Sequence, residues 1–140
     1  MLGNLAAVRA QQGRKDEARS LLQEAVAKHP DYLFARCNLA RFLIQDGKLD
    51  AADALLKGLV EREDLHIQEV FVLYGTLAMF QMVKGDKESA AALLKSLESL
   101  VEDGEDQRRL EQIKGLVEGL NPMGRLKALL RTAVKTGRRS

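Results

Sequence analysis

The chain has 140 residues, 46% of them hydrophobic and 30% charged but only 4% aromatic, with two prolines, one cysteine and no tryptophan. Poor aromatic and β-branched content argues against a sandwich or barrel, and no apolar run approaches the roughly 20 residues of a membrane span, which leaves an all-α domain. Charge is uneven: residues 1–120 hold 16 basic and 20 acidic side chains while 121–140 hold six basic and no acid, so the formal net charge of +2 is a property of the tail, and the body has no general nucleic-acid footprint.

The start, Met1-Leu2-Gly3-Asn4, lacks the basic and apolar regions of a signal peptide, and the lone Cys37 cannot form an internal disulfide. A cytoplasmic, reduced location is the expectation. Helices are predicted near 1–12, 16–29, 32–46, 49–63, 67–84 and 87–102, in three pairs. Within each pair a glycine precedes a charged helix start: Gly13-Arg14-Lys15-Asp16-Glu17-Ala18, Gly47-Lys48-Leu49-Asp50-Ala51-Ala52 and Gly85-Asp86-Lys87-Glu88-Ser89-Ala90. The glycines are spaced by 34 and 38 residues, and the columns Leu5/Leu39/Leu77, Ala6/Ala40/Ala78, Ala18/Ala52/Ala90, Leu22/Leu56/Leu94 and Ala25/Leu59/Leu97 keep that register.

Each column has a physical reading as part of a helical hairpin. A large residue beside a small one, as in Leu5-Ala6, lets a second helix approach closely. The glycine ends the first helix in a left-handed conformation where a side chain would clash. Ala18 and its equivalents again permit close approach, with Leu22 and its equivalents four residues later on the same face. His29-Pro30-Asp31 stops one helix and restarts the next. The 38-residue step places four extra residues around Asp64-Leu65-His66-Ile67-Gln68, as a longer turn or an extra helical turn.

A seventh helix is predicted over 106–119, where Leu110, Ile113, Leu116, Val117 and Leu120 fall at helical spacing, as the cap that stacked hairpins need. Asn121-Pro122 then opens an eighth helix to about Lys135. Its apolar stripe of Met123, Leu126, Leu130 and Val134 or Ala133 is flanked by Arg125, Lys127, Arg131 and Lys135, before Arg138 and Arg139 in the last residues.

These residues resemble the tetratricopeptide repeat family. Leu5-Ala6, Gly13, Ala18, Leu22, Ala25 and Pro30 stand at that family's positions, and the resemblance covers about 1–103. The later repeats depart from it at Asp64, Leu59 and Leu97. It implies a right-handed α-solenoid of three repeats, about 1–30, 31–64 and 65–103, forming with the cap helix a domain over 1–120, followed by the basic amphipathic segment 121–140. The implied function is a non-catalytic scaffold that binds a peptide or helix of a protein partner in its concave groove.

Transfer of the family's groove positions gives Asn4, Ala7 and Gln11 from the first repeat, Phe34, Cys37, Asn38, Arg41 and Gln45 from the second, and Val72, Thr76, Met79, Met82 and Val83 from the third. Members that capture chaperone carboxylate tails use a clamp of cations and asparagines; here those positions hold Gly3, Ala7, Asn38, Val72 and Thr76, so only Asn38 matches and a buried carboxylate would lack its charge partners. Chaperone tails are therefore not the expected ligand. Because Met1-Leu2 already lies inside the first predicted helix, the chain is the carboxy-terminal piece of a longer protein, or a second copy covers this end, or the helix simply frays at its start; self-association through that end or through the tail is a further expectation.

The alternative function is attachment of 121–140 to an anionic membrane or nucleic acid, at about 1 kcal/mol per basic residue near a bilayer and reduced by salt. Catalysis has little support. His29 and His66 have no partner at a motif spacing, two histidines and a cysteine make no zinc signature, and the glycines follow helices rather than strands as a phosphate loop requires. No catalytic residue, metal or cofactor is expected.

Overall fold

The computed structural model describes the backbone of residues 2–121 and the side chains of 13–121. The predicted helix 121–135 and the basic residues Arg125, Lys127, Arg131, Lys135, Arg138 and Arg139 lie outside the described residues. The fold is all-α: α1 (Leu2–Lys28), α2 (Leu33–Gln45), α3 (Leu49–Leu56), α4 (Ile67–Lys84), α5 (Lys87–Glu98) and α6 (Gly104–Gly119), with no strand among the described residues.

Two helical hairpins form the body, α2 with α3 and α4 with α5, and α2 packs side by side with α4. Their turns are built alike. Gly47 (φ +77°) and Gly85 (φ +99°) are both left-handed. Gly47 N–H donates to Ile44 O and Lys48 N–H to Leu43 O; Gly85 N–H donates to Met82 O and Asp86 N–H to Gln81 O. These paired bonds are the Schellman arrangement, in which a left-handed residue satisfies carbonyls that the helix end leaves open. Close approach follows where the small-residue columns meet: Ala40, Ala52, Ala78 and Ala90 are all 0% exposed.

Three elements differ from the expected boundaries. The predicted helices 1–12 and 16–29 are one helix, α1, which runs through Gly13 without a left-handed residue. The first repeat is therefore not a hairpin within this chain. A glycine inside a helix costs only about 1 kcal/mol relative to alanine, which the helix formers Arg14, Lys15, Glu17 and Ala18 can offset. α3 stops at Leu56, not near 63, because Lys57 is extended and Gly58 turns left-handed at φ +83°. The extra residues of the longer repeat thus lie in the irregular segment 57–66, anchored by the fully buried Leu59. α5 likewise ends at Glu98, where 102 was predicted.

α6 lies against α4 and α5, as a cap would. Its start is well determined: the Asp103 carboxylate accepts from Asp106 N–H at 2.8 Å, and the buried Asp106 accepts from Glu102 N–H and from Arg109 Nη1. Gly75 of α4 sets how near α6 can come. A methyl group there would stand 3.1 Å from Ile113. The core joins α2 to α6 through Leu33, Ile44, Leu56, Leu59, Phe71, Leu73, Met79, Leu97, Leu110 and Val117.

Candidate functional site

α2, α4 and α6 are successive neighbours, and the face they share carries two adjoining cavities. One, of about 260 Å³, is walled by Phe34 and Arg41 of α2, Gln68, Phe71 and Val72 of α4, and Arg109, Gln112 and Ile113 of α6. The other, of about 370 Å³, takes Lys15 and Leu22 from α1, Asn38, Arg41, Phe42 and Gln45 from α2, Met79 from α4 and Leu116 from α6. Arg41 lines both.

The setting of Arg41 follows from its neighbours. Its Nε donates to Thr76 Oγ1 at 2.9 Å and its Nη2 to Val72 O at 3.4 Å, while the Thr76 hydroxyl itself donates to Val72 O at 2.7 Å. The guanidinium is thereby fixed across the α2–α4 interface. Burial pulls its pKa below the usual arginine value, and among the described residues no carboxylate forms an ion pair with it. Arg109, by contrast, is held by Glu105 at 2.9 Å and Asp106 at 3.2 Å. The floor beneath Arg41 is apolar: Cys37 is 0% exposed, and burial pushes its thiol up to about 11.

Of the residues expected in the groove, Phe34, Asn38, Arg41, Gln45, Val72 and Met79 come together on these two cavities. Thr76 and Cys37 are buried beneath the surface, Thr76 reaching the groove only through its bond to Arg41. Met82 faces a separate hollow with Lys87, Leu94 and Val117, and Val83 packs against the core. Asn4, Ala7 and Gln11 fall in α1 where side chains lie outside the described residues.

Sequence reasoning missed the contribution of α6. Arg109, Gln112 and Leu116 recur at the helical period and form a stripe toward the groove; their spacing was available, but the helix reads first as a cap. It also missed Phe71 and Phe42, and Arg19, whose guanidinium lies 5.4 Å from the Phe42 ring centroid and bonds Asp46 at 2.6 Å, tying α1 to α2. Among the described residues no cluster of His, Cys, Asp and Glu is placed to hold a metal ion, and no helix is long and apolar enough to cross a membrane.

A family model described as Tetratricopeptide repeat matches residues 9–70, from the first third of α1 to the first turn of α4. Neither a curated protein nor a solved structure matches the chain.

Proposed function

We propose, from the match of residues 9–70 to the tetratricopeptide repeat model, whose repeats generally mediate protein–protein interaction, that the chain is a tetratricopeptide repeat protein and a non-catalytic scaffold binding a partner's peptide or helix in this groove. The observation that carries the reading is Arg41, a cation fixed at the junction of two mostly apolar cavities with no acidic partner among the described residues. A ligand that places a carboxylate on the guanidinium and an apolar side chain beside Phe34, Phe71 and Ile113 satisfies both chemistries. Asn38 and Gln45 supply side-chain amides for an extended backbone in the second cavity.

A displayed random-peptide library selected on the intact protein tests this. Enriched peptides should carry an acid within a few residues of a large apolar side chain, and R41M should weaken them about 10- to 100-fold, the range for a charge-assisted hydrogen bond. Selected peptides that bind R41M as tightly as the unsubstituted protein would remove the groove reading.

A second reading rests on charge placement, six basic residues and no acid in 121–140. It makes the tail an attachment to anionic surfaces. Binding to vesicles of anionic lipid should then vanish on deletion of 121–140 and fall steeply with salt, whereas peptide binding in the groove should change little with either.

A further inference from the structure

The described residues that line the two cavities include three cations, Lys15, Arg41 and Arg109, and no acid, although residues 1–120 carry more acidic than basic side chains. The groove is thus a cationic strip on an acidic body, and an acidic ligand is steered to it rather than to the remaining surface. Taking the groove as the binding surface, and so resting on that reading, we propose that its occupant is an extended internal segment of a partner protein. In that segment one Asp or Glu is flanked, two residues away on each side, by large apolar side chains.

Arg41 fixes where the acid goes. With Nε bonded to Thr76 and Nη2 to Val72 O, its Nη1 makes no hydrogen bond among the described residues, which leaves the end of the guanidinium fork for a carboxylate. Because Arg41 lines both cavities, a chain that ended on it with its own α-carboxylate would leave one cavity unfilled. The acid is therefore a side chain, in a segment that continues in both directions.

Spacing follows from the helices. On α2, α4 and α6 alike the smaller cavity is lined nearer the N-terminus and the larger nearer the C-terminus: Phe34 against Gln45, Gln68 against Met79, Arg109 against Leu116. The cavities thus succeed each other along the helix axes. From Phe34 to Gln45 the lining of α2 runs about 16 Å. Five extended residues span about 13 Å, with the first, third and fifth side chains on one face. A central acid on Arg41 then puts one apolar side chain beside Phe34 and Phe71 and the other beside Met79 and Leu116. The amides favour the same backbone. Gln68 and Gln112 in the smaller cavity, and Asn38 and Gln45 in the larger, bond no other described residue through their side chains. A helical ligand has already satisfied its own backbone, whereas an extended one offers them an open N–H and C=O at every residue.

The test selects two displayed random-peptide libraries on the intact protein, one presenting peptides internally and one ending in a free carboxylate. The internal library should be enriched in an acid with large apolar residues two positions to either side. Phe34→Ala and Leu116→Ala, both at partly exposed side chains, should each weaken a selected peptide about 3- to 10-fold and relax opposite flanking positions, with circular dichroism checking the fold. Enrichment confined to free carboxylates, an acid three or four residues from its apolar neighbours as on one face of a helix, or two variants that relax the same position would each overturn the extended internal ligand. The groove would survive these outcomes if R41M still weakened the selected peptides. Peptides indifferent to R41M would remove the groove and this ligand with it, as would no enrichment from either library.

Discussion

Two arginines show how a side chain on one helix completes another. Arg36 of α2 donates from Nε to Leu55 O at 2.7 Å and from Nη2 to Lys57 O at 2.8 Å, so it caps the end of α3 with the positive charge that the helix dipole favours there. R36M keeps the stem and removes the cap; urea unfolding should show a loss of about 1–3 kcal/mol. Arg41 makes a parallel crossing to α4 but leaves part of its guanidinium for the groove. Asp86 gives a pH signature. Its bonds from the Ser89 hydroxyl and N–H hold its pKa below the ordinary carboxylate value, so it favours the fold above that value and ceases to do so as pH falls through its depressed one. The acid limb of a melting-temperature profile should therefore flatten in D86N and keep its shape in a variant of an unbonded surface acid. Asp86 was legible as a helix start; the role of Arg36 was not, because no local spacing announces a bond across 19 residues.

At the scale of elements, the second and third glycines behaved as their columns predict and the first did not. The difference lies in partners rather than in the glycines. Gly47 and Gly85 turn because both flanking helices bury a face against each other, whereas the small cost of glycine inside a helix cannot by itself break α1. Leu59, in register with Leu97, is fully buried like it although it stands outside α3, so burial at that position survives the change of backbone. L59A should cost about 2–5 kcal/mol in urea unfolding, the range for truncating a fully buried leucine, and so mark 57–66 as an ordered connection. Gly75 had no signal in the repeat. G75V would drive a branched side chain into Ile113, 3.1 Å from the first added carbon, and should lower stability by about 1–3 kcal/mol. Because Ile113 also lines the smaller cavity, that variant should weaken groove ligands as well.

For the whole molecule, periodicity was the most readable property, since helices and their buried columns are local facts written in order along the chain. The groove was half legible. Residues of α2 and α4 could be placed by register, but the wall from α6 depends on how a helix beyond the repeats docks, and docking is decided by packing at Gly75 and Ile113. The lone cysteine links the groove to the global fold. Cys37 sits fully buried beside Arg41 and Thr76, with a thiol at about 11 that is almost wholly protonated at neutral pH. It reacts only when α2 and α4 part, so the rate at which a thiol reagent modifies it is a clock for that opening. A ligand seated on Arg41 slows the clock by the factor one plus its concentration over Kd, provided that it binds only the closed form. A single natural atom, Sγ of Cys37, thus turns occupancy of the groove into a chemical rate that needs no label on the ligand.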